Sequence, residues 1–134
     1  MFNFSIVTPE KKFLEGKTVS LILPGSEGYL GILTDHAPLM TALVPGKVTI
    51  KDETGHEISI AISYGFVEVS ANCATLLVDS AEFVSDIEVE RARKALDRAK
   101  KRLADKAGDI DIPRAEKALA RARNRIRLAA VSAK

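Results

Sequence analysis

The sequence predicts an all-β N-terminal sandwich of about eight to ten short strands, followed by a C-terminal antiparallel hairpin of two helices. Three observations predict it. Apolar residues alternate with period two from Phe2 to Val78; the period changes to three and four after Ser85; and the charge balance inverts at the same place. The join near Ala81–Ser85 divides the chain into a sandwich domain over residues 1–84 and a helical domain over 85–134.

In the first part, Phe2, Phe4 and Ile6 alternate, as do Val19, Leu21 and Leu23, then Val48 and Ile50, then Ile58, Ile60 and Ile62, then Val67 and Val69. Alternation puts each set on one face of a strand. Turn signals separate the runs at Pro24-Gly25, Pro45-Gly46, Asp52-Glu53-Thr54-Gly55, Tyr64-Gly65 and Ala71-Asn72. About 85 residues can close a modest core of this kind, and the 134-residue chain leaves no room for a second enzyme-sized domain.

In the second part, Val89, Ala92, Leu96, Ala99 and Leu103 form one apolar stripe, and Ala115, Leu119, Ala122, Ile126 and Ala129 form another. Gly108-Asp109-Ile110-Asp111 supplies the reversal, with the glycine suited to close the first helix, Asp111 to cap the second and Pro113 to occupy its first turn. Ser85 and Glu88 have the spacing of a capping box for the first helix, with Asp86 as a competing cap. Alanine dominates both stripes. At about 0.8 kcal/mol per buried methylene, such a seam stabilises much less than a leucine seam. Pattern alone fits both a hairpin that opens and an appendage docked permanently.

Charge is divided unevenly. Residues 1–85 carry five Lys and Arg against ten Asp and Glu, whereas residues 86–134 carry fifteen against eight, so a net charge of +2 conceals an acidic front and a basic tail. The second helix, with Arg114, Lys117, Arg121, Arg123, Arg125 and Arg127 opposed only by Glu116, calls for an acidic partner unless it is simply a solvated face. Nucleic acid is one such partner, and a basic-helix nucleic-acid-binding protein is the alternative function. Against it stand the acidic front, the absence of Trp and the lack of aromatics within the tail.

Catalytic patterns do not emerge. His36 and His56 lie twenty residues apart with a single cysteine, Cys73, far short of the three or four ligands of a zinc site. Thr34-Asp35-His36 are adjacent and lack the surroundings of a nucleophile turn, so they do not form a triad. Gly25, Gly28 and Gly31, three apart in a turn-rich loop, match no phosphate-binding fingerprint. No enzyme activity and no metal are expected. Cys73 suits small packing in a reducing compartment. The start lacks a signal-peptide pattern, and no window approaches the roughly 18 apolar residues of a membrane span, so a protein neither secreted nor membrane-spanning is expected.

The run Gly28-Tyr29-Leu30-Gly31-Ile32-Leu33-Thr34-Asp35-His36-Ala37-Pro38-Leu39 resembles the G-x-L-G-I-L-x-x-H-x-P loop of the epsilon subunits of rotary F-type ATP synthases. Gly65-Phe66-Val67-Glu68-Val69, Thr75-Leu76-Leu77-Val78, Ala81-Glu82 and the segment from Ala115-Glu116 to Asn124-Arg125 follow that family in the same order, across essentially the whole chain. The resemblance implies a non-catalytic rotor subunit at the foot of the central stalk. Its sandwich would contact the gamma subunit and the ring of c subunits, coupling rotation to catalysis elsewhere, and its mobile helices would inhibit ATP hydrolysis. The c-ring- or gamma-facing loop would include Tyr29, Leu30, Gly31 and His36, although some relatives carry an acidic residue where Tyr29 stands. The acidic partner would be the beta subunit, with Arg121, Arg123, Arg125 and Arg127 contacting beta or gamma. Some family members bind ATP as a regulatory ligand through an Ile/Leu-Asp-x-x-Arg-Ala motif. The corresponding residues are Ile87, Glu88, Arg91 and Ala92, with Glu82, Arg121 and Arg125 as further contacts and Glu88 replacing the aspartate. The implied location is peripheral, on the cytoplasmic face of a bacterial plasma membrane.

Overall fold

A computed structural model describes residues 1–104 and 112–132. The Gly108–Asp111 reversal and the Asp111 cap lie outside the described residues. The chain divides into two units, Met1–Phe83 and Val84–Lys134.

The first unit holds ten strands: β1 Phe2–Val7, β2 Lys12–Thr18, β3 Ser20–Gly25, β4 Gly28–Leu33, β5 Leu39–Leu43, β6 Gly46–Lys51, β7 Glu57–Ile62, β8 Gly65–Ser70, β9 Cys73–Val78 and β10 Ala81–Phe83. Two runs of five emerge from the pairing, β10-β7-β6-β3-β4 and β5-β8-β9-β1-β2. They meet where Gly25, the last residue of β3, pairs with Leu43 of β5. The Ser26 amide donating to the Ala42 carbonyl and the Val44 amide donating to the Pro24 carbonyl, both at 3.0 Å, reinforce that joint. Gly25 is buried there, and a β-carbon on it would lie 2.8 Å from the Gly28 carbonyl oxygen. Among the described residues β1 and β9 run parallel and the other pairings are antiparallel.

One core fills the space between the runs. Leu21, Leu23, Ile32, Val48, Ile50, Ile60 and Ile62 come from the first, and Phe2, Phe4, Ile6, Leu43, Val67, Val69, Ala74, Leu76 and Val78 from the second. These are the inward positions of the alternating pattern, and burying each Val, Leu, Ile or Phe contributes about 1.5–3 kcal/mol. Ile58 departs from the pattern. It pairs with Ile50 on the inward face but is 39% exposed, because it stands at the outer end of β7. At the other edge, the Phe13 ring of β2 packs on the Phe83 ring of β10, centroids 5.0 Å apart.

Several turns differ from the sequence reading. Pro24 and Gly25 belong to β3, Gly65 begins β8, and the supposed loop around Gly28 and Gly31 is strand β4 after a two-residue turn at Ser26–Glu27. Pairing along all six residues of β3 extends this hairpin beyond what its glycines suggest. The Asp52–Gly55 turn is a turn as expected. Asp52 Oδ1 accepts from the Thr54 hydroxyl at 2.7 Å, the Thr54 amide at 2.9 Å and the His56 amide at 3.0 Å.

In the second unit a single 3-10 turn, Val84–Asp86, precedes α1, Val89–Ala104; α2 spans Ile112–Ser132. Ser85 and Asp86 therefore lie in the 3-10 turn and do not cap α1. The Glu88 carbonyl accepts the first helical bond, from the Ala92 amide at 3.0 Å, which makes Glu88 the cap position. Ile87 instead closes the 3-10 turn, its amide donating to the Val84 carbonyl. The two helices pack on each other. Ala92 and Ala99 of α1 and Ala115, Ala122 and Ala129 of α2 are buried at seven-residue intervals. Val89, expected on the stripe, is 36% exposed as the first residue of α1.

Gly65 supports the first stability prediction. A β-carbon there would collide with the Leu77 carbonyl oxygen and approach the Val78 α-carbon to 2.7 Å, backbone atoms that cannot rotate away. Gly65→Ala is expected to cost about 1–3 kcal/mol in urea unfolding. Gly31→Ala, which meets nothing nearer than the Leu21 carbonyl oxygen at 4.0 Å, is expected to change stability by about 0.5 kcal/mol or less.

The Thr54 hydroxyl, helped by the His56 and Thr54 amides and the charge of His56, holds the Asp52 carboxyl below its ordinary value of 3.8 against the opposing effect of desolvation. A lowered folded-state pKa stabilises the fold above the unfolded value and loses that effect as pH falls through the folded one. In an NMR titration the Thr54 and His56 amides should therefore shift with a midpoint below 3.8. Asp52→Asn should abolish that transition.

Candidate functional site

The β3–β4 hairpin presents Tyr29, Leu30 and Gly31, and β-sheet alternation sends them different ways. Leu30 is half-buried against the core, Gly31 is exposed opposite Ile22, and Tyr29 is 57% exposed. Tyr29 is nevertheless anchored, its hydroxyl accepting from the Lys47 amide at 3.1 Å. Beneath it lies buried Gly46, where a β-carbon would sit 2.8 Å from the Tyr29 hydroxyl and 2.5 Å from Pro24 Cβ. A glycine at the start of β6 thus allows the tyrosine to cross from one hairpin to the next.

His36 lies in the β4–β5 connection and is half-buried. Its amide donates to the Leu33 carbonyl at 3.2 Å, and Nδ1 lies 2.7 Å from the Ala37 carbonyl oxygen. A carbonyl only accepts, so Nδ1 carries the proton and Nε2 is left available as acceptor when the ring is neutral. Asp35 beside it has φ of 62°, and its amide donates to Asn72 Oδ1 at 2.8 Å. Ala71-Asn72 carries a turn signal in the sequence, but no local signal connects it to a loop 37 residues earlier.

Strand register also gathers an outward apolar row that alternation did not single out. Ala42 of β5 stands opposite Phe66 of β8, Phe66 opposite Leu77 of β9, and Leu77 opposite Val7 of β1. Phe66 is 50% exposed and Leu77 43%, and Met40, two residues before Ala42, reaches 68%. Three separate parts of the chain, β1, β5 and the β8–β9 hairpin, supply the row, so it exists only after they pair.

On the helices, Arg121 and Arg125 are half-buried, one turn apart, whereas Arg123 and Arg127 are exposed. The two faces implied by their spacing are thus differently exposed. Arg127 Nη2 donates to Oδ1 of buried Asn124 at 2.9 Å. Of the candidate nucleotide-binding residues, Glu88 and Arg91 are exposed, Ile87 is half-buried and Ala92 is buried. Ala92 can contribute backbone and packing but no polar side chain. Glu82 belongs to the first unit, half-buried on β10 opposite Ala61. Among the described residues no three His, Cys, Asp or Glu side chains are grouped to hold a metal, and no helix is long and apolar enough to cross a membrane.

Comparison with known proteins assigns this arrangement. Residues 1–84 match the family model of the ATP synthase delta/epsilon chain beta-sandwich domain, and residues 85–130 that of the delta/epsilon chain long alpha-helix domain. The ATP synthase epsilon chain of Moorella thermoacetica is 42% identical over 104 residues, 78% of each chain. That of Brevibacillus brevis is 43% identical over 101 residues, 75% of this chain and 76% of the relative. A chain of the Euglena gracilis mitochondrial ATP synthase OSCP/F1/c-ring structure superposes with TM-score 0.79 at 22% identity, covering 96% of this chain and 79% of its own. At that identity the likeness speaks for the fold. The nucleic-acid alternative finds no support among these relatives. With both of its domains matched in order and bacterial relatives above 40% identity, the chain belongs to the ATP synthase delta/epsilon chain family.

Proposed function

We propose that this chain is a non-catalytic central-stalk rotor subunit of a proton-translocating F-type ATP synthase, coupling c-ring rotation to catalysis and restraining ATP hydrolysis through its C-terminal helices. The observation that carries the reading is the pair of family matches, sandwich then long helix, which together span residues 1–130. The names of the relatives, ATP synthase epsilon chain, point the same way. The subunit transmits force and catalyses nothing itself. Its proposed place is the cytoplasmic face of a bacterial plasma membrane, held there by the complex, in keeping with the bacterial sources of those relatives.

Rotation must pass through surfaces that bind without slipping. The apolar row of Met40, Ala42, Phe66, Leu77 and Val7 is the surface we assign to the gamma subunit, because an exposed apolar row of this kind marks a protein contact. The exposed face of the anchored tip, Tyr29 and Gly31 with Leu30 packed behind them on the core, is assigned to the c ring, and the His36 loop to the c ring or gamma. Arg121, Arg123, Arg125 and Arg127 are assigned to acidic surfaces of beta or gamma, where guanidinium groups form charge-assisted bonds with carboxylates.

Inhibition requires the hairpin to have two states, and its composition favours that. Its buried seam positions are mostly alanine, so the free-energy gap between packed and opened forms can be a few kcal/mol, within reach of a ligand that prefers one form. The ligand proposed for the packed form is ATP, bound within the helical unit through Ile87, Glu88, Arg91, Ala92, Arg121 and Arg125. The extra methylene of Glu88 relative to aspartate is the feature most able to weaken that site.

Added to an ATP synthase depleted of its epsilon subunit, the full chain is expected to co-purify with the complex and lower ATP hydrolysis. Failure to associate would overturn the rotor assignment. With association established, replacing Arg123 and Arg127 together by Ala should weaken inhibition by about two- to tenfold, the scale of two partly exposed charge contacts. Unchanged inhibition would remove those arginines from the partner surface. Calorimetric titration with ATP should show saturable binding that Arg91→Ala with Arg125→Ala abolishes; no binding by the intact chain would dismiss ATP as the ligand and leave the rotor assignment in place.

A further inference from the structure

The connection from Thr34 to Pro38 has little packing of its own, since every residue except His36 is exposed. It also contains Asp35 in the left-handed region at φ 62°, which aspartate adopts more readily than most non-glycine residues but still less readily than the ordinary regions. Two bonds hold the loop backbone here, the His36 amide to the Leu33 carbonyl and the Asp35 amide to Asn72. This residue occupies the two-residue β8–β9 turn with Ala71, at φ 61° and 49° respectively, a turn closed by the Ser70–Cys73 pair. Asparagine tolerates this region better than most residues, yet turn formation does not require its amide to reach outward. Here the amide does so. Oδ1 accepts from the Asp35 amide at 2.8 Å, Nδ2 donates to the Met1 carbonyl at 3.4 Å, and the Asn72 backbone carbonyl accepts from the Asn3 amide at 3.1 Å. One residue thus ties the His36 loop to the start of β1 and the β8–β9 turn.

We infer that Asn72 is the positioning residue of the Thr34–Pro38 loop, holding it in the shape in which it docks on the stalk. The inference rests on the reading of that loop as a docking surface. A loop already in its bound shape loses less freedom on association, and the gain appears as affinity without any contact by Asn72 itself. The Asp35 amide is the joint on which this depends. It is the point where a side chain from a distant turn fixes the backbone next to His36.

The test compares full-length Asn72→Gly, Asn72→Asp and His36→Ala chains, reading hydrogen exchange at the Asp35 amide and affinity for ATP synthase depleted of its epsilon subunit. Glycine keeps the left-handed turn and deletes the amide; aspartate keeps both the acceptor and the tolerance of that conformation. Asn72→Gly is expected to leave exchange at the buried Val67 amide unchanged, accelerate exchange at Asp35 and weaken affinity by about three- to tenfold, the scale of one hydrogen bond. Asn72→Asp should stay within about twofold of the parent on the same scale. Unchanged exchange at Asp35 would overturn the inference, as would faster exchange with undiminished affinity while His36→Ala weakens binding. If Asn72→Gly and His36→Ala both bind as the parent does, the docking reading of the loop falls and the inference falls with it.

Discussion

The sandwich depends on the way β3 serves two layers. One edge of β3 pairs with β4 along its whole length, while the other pairs with β6 at first and then, through Gly25, with β5. That change of partner turns ten strands into two runs facing a common core. It needs a residue with no side chain, because Leu30 and the Gly28 carbonyl occupy the space a β-carbon would take. Once the layers are set, the outward positions follow by the two-residue period, and the proposed contact surfaces are fixed by which strands become neighbours.

Those surfaces are stiffened by side chains that bond to distant backbone. The Tyr29 hydroxyl accepts from the Lys47 amide, Asn72 Oδ1 accepts from the Asp35 amide, and buried Thr18 donates its hydroxyl to the Lys51 carbonyl. Ser63 and Ser80 make a similar clasp, with the Ser80 amide donating to Ser63 Oγ at 2.9 Å. Each bond contributes only about 0.5–1.5 kcal/mol, but each ties a turn or strand end to a segment far away in the sequence. A subunit proposed to transmit rotation benefits from such stiffness.

The helical unit follows a different balance. The sandwich buries large side chains such as Ile6, Leu21 and Leu76 completely, whereas among the described residues the helix pair buries mainly alanines, with Leu128 and one polar residue, Asn124. Close approach of the backbones replaces bulk at the interface. Less apolar area is then removed from water per residue, the property on which the proposed opening of the hairpin rests. Arg123 and Arg127 lie exposed outside the seam, the placement on which their proposed contact with acidic surfaces depends.

Much of this was legible in the residues. Period-two alternation marked the inward faces, alanine stripes marked the helix seam, the charge inversion marked the join, and Asp52-Glu53-Thr54-Gly55 and Ala71-Asn72 marked turns. All are local properties, decided within a few residues by backbone geometry and side-chain polarity. Tertiary structure alone decided the partner change at Gly25, the parallel pairing of β1 with β9, the Ala42–Phe66–Leu77–Val7 row and the reach of Asn72 to Asp35. It also moved the cap of α1 from Ser85 to Glu88, because a 3-10 turn intervenes. The physical reason is that a strand's period states which side of each residue is apolar but not which strand will lie beside it. That choice belongs to hydrogen bonds and packing between segments far apart in the chain.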